Sequence, residues 1–266
     1  MQIVTKYPDG IFCWVDLSTT DPAGAKAFYG GLLGWEAEDL PISVGGVYTM
    51  FKLHGQNVAG GGQMPPNMAE QGVPPFWASY LKHDNLDEIA AKITAGGGNL
   101  MFPPMDVMEA GRMTMASDPT GAAFGVWQPG NHIGASLVNM SGTLVWNELQ
   151  TRDTAAAKAF YSAIFGWTGE PDNSGYVMFQ QNGRTHAGMM GMDESWDAAI
   201  PAHWEVYFAV DDIAATAEKA KELGGTVLMG PFPAGAVGTM AVIRDPQGAV
   251  FSAIQLATPA DPPPGA

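Results

Sequence analysis

The sequence predicts an α+β protein of four βαβββ modules, two in each of two related domains, and three observations predict it. "AKAFYGGLLGW" at residues 25–35 returns as "AKAFYSAIFGW" at 157–167, and Asp21-Pro22 and Asp153-Thr154 precede the two copies at the same distance, 153 − 21 = 132 positions apart. Self-similarity of this length marks an internal duplication. The match then runs on to the end of each half: Tyr48 with Tyr176, Phe51 with Phe179, Gly60 with Gly188, Trp77 with Trp204, Tyr80 with Tyr207, and Asp118, Gly121 and Phe124 with Asp245, Gly248 and Phe251. Finally, a strand-like run, a helix and about three alternating segments follow one another twice within each half.

Each element has a local cause. "IFCWVDL", "FWASYLK", "TLVWNEL" and "HWEVYFAV" are rich in β-branched and aromatic residues and read as the opening strands. Asp21 caps free amides and Pro22 fits the first helical turn; Ala25, Phe28, Tyr29, Leu32 and Leu33 share one face and Gly34 ends the helix. "DNLDEIAAKITAGGG" and "DDIAATAEKAKELGG" repeat that grammar, with Asn85 and Asp212 as caps and glycines at the close. Asp118-Pro-Thr-Gly121 and Asp245-Pro-Gln-Gly248 fit type I turns joining antiparallel strands. The predicted organisation is a first domain at 1–130 (modules 8–64 and 75–128), a linker at 131–141, a second domain at 142–258 (modules 142–192 and 202–256) and a loose tail at 259–266. Module one could pair with two and three with four, or one with four and two with three.

Composition narrows the partners. Formal net charge is −15 and Lys plus Arg number only 12, which argues against nucleic acid and against an anionic membrane surface. The start "MQIVTKYPDG" lacks signal-peptide character and no apolar run is long enough to span a bilayer, so a cytoplasmic location is expected. Cys13 is the single cysteine and sits between Phe12 and Trp14, where an inert buried thiol is expected. The protein is expected to be a monomer or homodimer.

The motifs "AKAFYGGLLGW", "AKAFYSAIFGW", "SDPTGAAF" and "RDPQGAVF" resemble the vicinal oxygen chelate superfamily of glyoxalase I, extradiol dioxygenases and bleomycin-resistance proteins, over nearly the whole chain. The resemblance implies sheets curled into ligand-holding cups, and metal ligands on the first and last strand of each module. It also places tandem relatives beside antibiotic-biosynthesis enzymes. Chemistry does not follow from this fold alone. The corresponding positions here are Trp14, Ala78 and Gly125 in the first domain and Trp146, Glu205 and Ser252 in the second, with His186 a further candidate. A divalent ion needs several converging donors, so no metal and no other cofactor is expected.

Strand alternation from those positions defines the inward residues. They are Phe12, Trp14, Asp16, Phe76, Ala78, Tyr80 and Trp127 in the first domain, and Leu144, Trp146, Glu148, His203, Glu205, Tyr207, Ser252 and Ile254 in the second. Trp14, Phe76, Tyr80, Trp127, Trp146, Glu148, Tyr207 and Ser252 are the candidate ligand contacts; Glu205 and His203 are the candidate catalytic pair. His54, His83 and His132 read as solvated. Methionines cluster at Met101, Met105, Met108, Met113 and Met115 and at Met189, Met190 and Met192, beside "QMPPNMAEQGVPPF", a candidate lid. The expected activity is metal-independent binding of a hydrophobic, aromatic or polycyclic small molecule, in a sequestering, carrier or accessory role in antibiotic biosynthesis or resistance. The alternative is an enzyme of this fold: a metal-free proton-transfer isomerase or lyase or a hydroxylase-associated protein, or, less favoured, a metal-dependent glyoxalase or dioxygenase.

Overall fold

The four modules form two curved sheets. The computed structural model describes residues 2–42 and 46–264; the first residue of the expected first domain, its residues 43–45 and the last two of the expected tail lie outside the described residues. The first half supplies β1 (Phe12–Thr19), α1 (Pro22–Leu33), β2 (Glu36–Pro41), β3 (Val47–Leu53), β4 (Gln56–Gln63), α2 (Pro66–Glu70), β5 (Phe76–Lys82), α3 (Leu86–Ala95), β6 (Asn99–Leu100), β7 (Met105–Val107), β8 (Gly111–Ser117) and β9 (Ala123–Pro129). The second supplies β10 (Leu144–Thr151), α4 (Thr154–Phe165), β11 (Val177–Gln181), β12 (Arg184–Gly191), β13 (His203–Ala209), α5 (Ile213–Glu222), β14 (Thr226–Ala234), β15 (Gly238–Arg244) and β16 (Val250–Leu256). Sheet order is β2-β3-β4-β1-β5-β9-β8-β6, with β7 on β8, and β11-β12-β10-β13-β16-β15-β14. β1 lies antiparallel to β5 and β10 to β13, so module one pairs with two and three with four.

The helix caps act as their sequences dictate. Asp21, Asn85, Asp153 and Asp212 accept from the amides of Gly24, Glu88, Ala156 and Ala215, and Gly34 and Gly166 close α1 and α4 in the left-handed region. The candidate lid carries one unforeseen short helix, α2. The expected loose tail has Pro263 and Pro264 buried, and its Asp261 carbonyl accepts from Asn139 Nδ2 at 3.0 Å.

The repeated helix is explained by where it docks. α1 packs on its own sheet, with Tyr29 against Phe51 and Trp77, and also reaches the sheet of the other half: Tyr29 lies 5.6 Å from Phe251 between ring centroids, and its hydroxyl donates to Asp245 Oδ2 at 3.0 Å. α4 does the converse, with Tyr161 5.7 Å from Phe124 and its hydroxyl donating to Asp118 Oδ2 at 3.1 Å. Trp77 and Trp204 donate in turn to the hydroxyls of Tyr29 and Tyr161. The Trp closing each motif reaches across as well: Trp35 Nε1 donates to the Gly142 carbonyl and Trp167 Nε1 to that of Gly10. Asp118 and Asp245 also accept backbone amides of their own turns, so the Asp-Pro turn is both a corner and a receptor. Hydrogen bonds to charged groups contribute about 1.5–3 kcal/mol each. Each half therefore carries the clasp for the other.

Candidate functional site

On the concave face of the first sheet, Trp14 on β1 lies beside Tyr80 on β5, and Asp16 beside Ala78. Trp14 Nε1 donates to the Tyr48 hydroxyl at 2.9 Å; Tyr48 and Tyr80 both donate to Asp16 Oδ2, at 3.4 and 3.2 Å. Burial pushes the Asp16 carboxyl up to about 6, against the lowering effect of both tyrosines. The same chain recurs in the second sheet. Trp146 Nε1 donates to Tyr176 at 3.1 Å, and Tyr176 and Tyr207 donate to Glu148 at 2.8 and 2.9 Å. Burial, and then the neighbouring carboxylate, raise the pKa of Tyr48, Tyr80, Tyr176 and Tyr207, which keeps all four as hydroxyl donors.

The tyrosines need glycine beneath them. Gly60 and Gly188 pair with Asp16 and Glu148, and a Cβ at either would overlap the Tyr48 or Tyr176 hydroxyl. A Cβ at Gly125 would enter the ring of Tyr80. Gly125, one of the strand positions to which the resemblance assigns metal ligands, is thus a glycine supporting a tyrosine. Among the described residues, no three His, Cys, Asp or Glu side chains gather as a metal site. The donors present do not fit a divalent ion.

The second sheet adds groups that the first lacks. Glu205 on β13 lies directly opposite Glu148, and Ser252 on β16 donates to Glu205 Oε1 at 3.0 Å. Burial pushes Glu205 up to about 8; the Ser252 hydrogen bond opposes this and the Glu148 charge adds to it. Gln150 Nε2 donates to Glu148 at 3.2 Å. His203, half-buried at the start of β13, is lowered by burial, its Nδ1 lies 2.9 Å from the Pro201 carbonyl, and its Nε2 is 4.0 Å from Glu205. Both groups are pushed toward their neutral forms, so this is not an ion pair at neutral pH.

Among the predicted residues, Trp146, Glu148, His203, Glu205, Tyr207 and Ser252 converge on one face. Trp14 and Tyr80 converge on the other sheet, and Phe76 sits at the start of β5 opposite Ser18. Trp127 lies further along β9, opposite Met113, and donates to the His132 carbonyl at 2.8 Å. Two expected inward residues are not inward. Bulges between Phe12 and Trp14 and between Leu144 and Trp146 shift the alternation by one residue. Phe12 thereby packs on Trp204 and Leu144 pairs with Phe208. His132 is not solvated: its ring lies 4.5 Å from Trp14 and 5.8 Å from Trp127, and burial lowers it to about 4. Met101, Met105 and Met108 are exposed while Met189 and Met192 are core. Tyr48 and Tyr176 were legible only as matched repeat positions.

The comparisons agree with this architecture. The family model described as Glyoxalase/Bleomycin resistance protein/Dioxygenase superfamily matches residues 11–126 and 143–252. A protein of Mycobacterium tuberculosis (strain CDC 1551 / Oshkosh) named as a candidate glyoxylase, CFP32, is 46% identical over 94% of this chain and 97% of its own. The anthracycline biosynthesis protein DnrV of Streptomyces peucetius is 34% identical over 95% of this chain and 96% of its own. The Mn(II)-bound glyoxalase from Novosphingobium aromaticivorans shares the fold with TM-score 0.66 at 16% identity, over 96% of this chain and 85% of that one. The 2,3-dioxygenase LapB from Pseudomonas sp. KL28 does so with TM-score 0.65 at 14% identity, over 96% and 95%. With its duplicated modules, paired sheets and matched segments, this chain belongs to the Glyoxalase/Bleomycin resistance protein/Dioxygenase superfamily.

Proposed function

We propose that the concave face of the second sheet binds an oxygenated aromatic or polycyclic small molecule without a metal, in a carrier, sequestering or accessory role. The supporting observation is Glu205: a buried carboxyl opposite Glu148, raised to about 8 and so able to donate a proton to a ligand oxygen at neutral pH. Trp146 and Tyr207 supply apolar ring surface beside it. The names of DnrV and of DauV from Streptomyces sp. (strain C5) tie two relatives to anthracycline biosynthesis, which makes a polycyclic quinone the first probe.

The test is a fluorescence titration of the protein with an anthracycline from pH 6 to pH 10. Affinity is expected to fall as pH rises through about 8, because the donor proton is lost. Glu205→Gln, which donates at every pH, should flatten that profile. Trp146→Ala should weaken binding by roughly 1–3 kcal/mol if the ring stacks on the ligand. Binding that ignores both pH and Trp146→Ala would sink the proposal.

The facing carboxyls favour one second reading, proton transfer to a bound carbonyl or quinone. Glu205 would give the proton and Glu148 would oppose its charge. Such catalysis supplies about 10²–10⁴-fold, so Glu205→Gln should lose that much turnover while keeping affinity. Turnover at the parental rate would leave binding alone as the account.

A further inference from the structure

The two sheets differ at one end in a way the duplication makes readable. In the first half, β1 and β4 part below Asp16, and the linker fills the split: the amide of Ala135 donates to the Cys13 carbonyl and those of Ser136 and Leu137 to the Asn57 carbonyl. Val58, fully buried, completes the closure. The tail stands in the place of the linker in the second half. With the offset 245 − 118 = 127, Ala135, Ser136 and Leu137 correspond to Pro262, Pro263 and Pro264. Proline has no N–H, so this segment cannot repeat those bonds.

A cavity of about 390 Å³ occupies that end, a volume in the range of small-molecule sites. Its walls include Tyr7, Phe12, Leu144, Trp146 and Pro259, drawn from both halves and the tail. Two of its wall residues break the repeat: Arg184 stands where the first half has Gln56, and His186 where it has Val58. Both ring nitrogens of His186 and Nε of Arg184 are shielded from solvent with no hydrogen-bond partner. Among the described residues Arg184 forms no ion pair, although the chain carries 27 acidic residues. Asp261, the one acidic residue on the wall, is exposed. Buried polar groups without partners are costly and uncommon, and this pair borders a cavity that could supply the partner.

We propose that this seam between the halves is a second ligand site, adjoining the concave face at Trp146 but with its own polar groups, for a small aromatic carboxylate. The carboxylate pairs with Arg184 and accepts from His186, after a turn of the imidazole toward the cavity, while the ring system lies among the apolar walls. Burial, and then the Arg184 charge, lower His186 to about 3, so the imidazole is neutral and offers one donor.

The site can be tested with variants taken from the other half, His186→Val and Arg184→Gln, titrated calorimetrically with 2-naphthoate and with 2-naphthalenemethanol at pH 7. The parent should bind naphthoate at one site at least tenfold more tightly than the alcohol. Either variant should lose that preference by tenfold or more, and Glu205→Gln should keep it. His186→Val should also melt no lower than the parent, since it removes unpaired polar atoms. Absence of naphthoate binding at millimolar concentration would overturn the proposal. So would a preference that survives both variants, or one that is lost in Glu205→Gln. A folded His186→Val protein that melts well below the parent would overturn it too, by assigning the imidazole a structural partner.

Discussion

Both sheets carry the same Trp–Tyr–carboxyl–Tyr chain, through Asp16 in one and Glu148 in the other, and they part at the neighbouring positions. Ala78, Gly125 and Phe76 in the first sheet face Glu205, Ser252 and His203 in the second across the repeat. The first sheet spends its space on Tyr80, whose ring covers Gly125, and the linker sets His132 between Trp14 and Trp127. The position corresponding to His132 in the second half, 132 + 127 = 259, is Pro259. One copy is filled by its own aromatic rings and the other keeps a second carboxyl. The difference teaches that a shared polar floor can serve packing in one place and ligand chemistry in another.

The largest expected effect tests whether the first sheet can be converted into the second. Gly125→Ser should destabilise the protein by up to about 3 kcal/mol in chemical denaturation, since its Cβ has no room beside Tyr80. A neutral result would mean that Tyr80 moves freely and that the two copies differ less than their packing indicates. Next come the clasps. Tyr161→Phe and Tyr29→Phe should each cost about 1–3 kcal/mol by leaving one buried aspartate oxygen, Oδ2, and a tryptophan N–H unpaired. Unequal costs would show which half depends more on the other.

A pH titration of stability separates the copies further. Glu205 is raised above its ordinary value, so its contribution is full below about 4.5 and is lost as pH rises through about 8. Asp16 behaves alike over a narrower window, from about 3.8 to about 6. Melting temperature should therefore fall in two stages, the upper one absent in Glu205→Gln and the lower one in Asp16→Asn. A single stage untouched by Glu205→Gln would contradict the placement of Glu205. The smallest change is Ser252→Ala, about 1 kcal/mol or less, because it removes one hydrogen bond to a carboxyl that burial already favours in its neutral form.

Much of this architecture was legible in the sequence, because caps, glycine stops, Asp-Pro turns and strand composition act locally. The facing of Glu148 and Glu205 was partly legible: both fell on inward positions, but their register depends on bulges set by strand pairing. The same bulges moved Phe12 and Leu144 off the concave face. Tyr48 and Tyr176 escaped notice as site residues because their role needs a glycine on a neighbouring strand. An acid at the same repeat position in both halves, with a Trp two residues before it in each, was the available signal. His132 was missed because its burial depends on how the linker folds back.

The exchanged clasps also bear on how the chain is made. Tyr29 and its partner Asp245 are separated by 216 residues, and Trp35 waits for a carbonyl 107 residues later. During synthesis α1 leaves the ribosome long before Phe251 and Asp245 exist, and the part of its aromatic face that meets them stays uncovered until the second half is nearly complete. Contacts this distant slow folding. A nascent chain stalled midway should thus be a ready substrate for chaperones, and release of the C-terminal module should end that dependence.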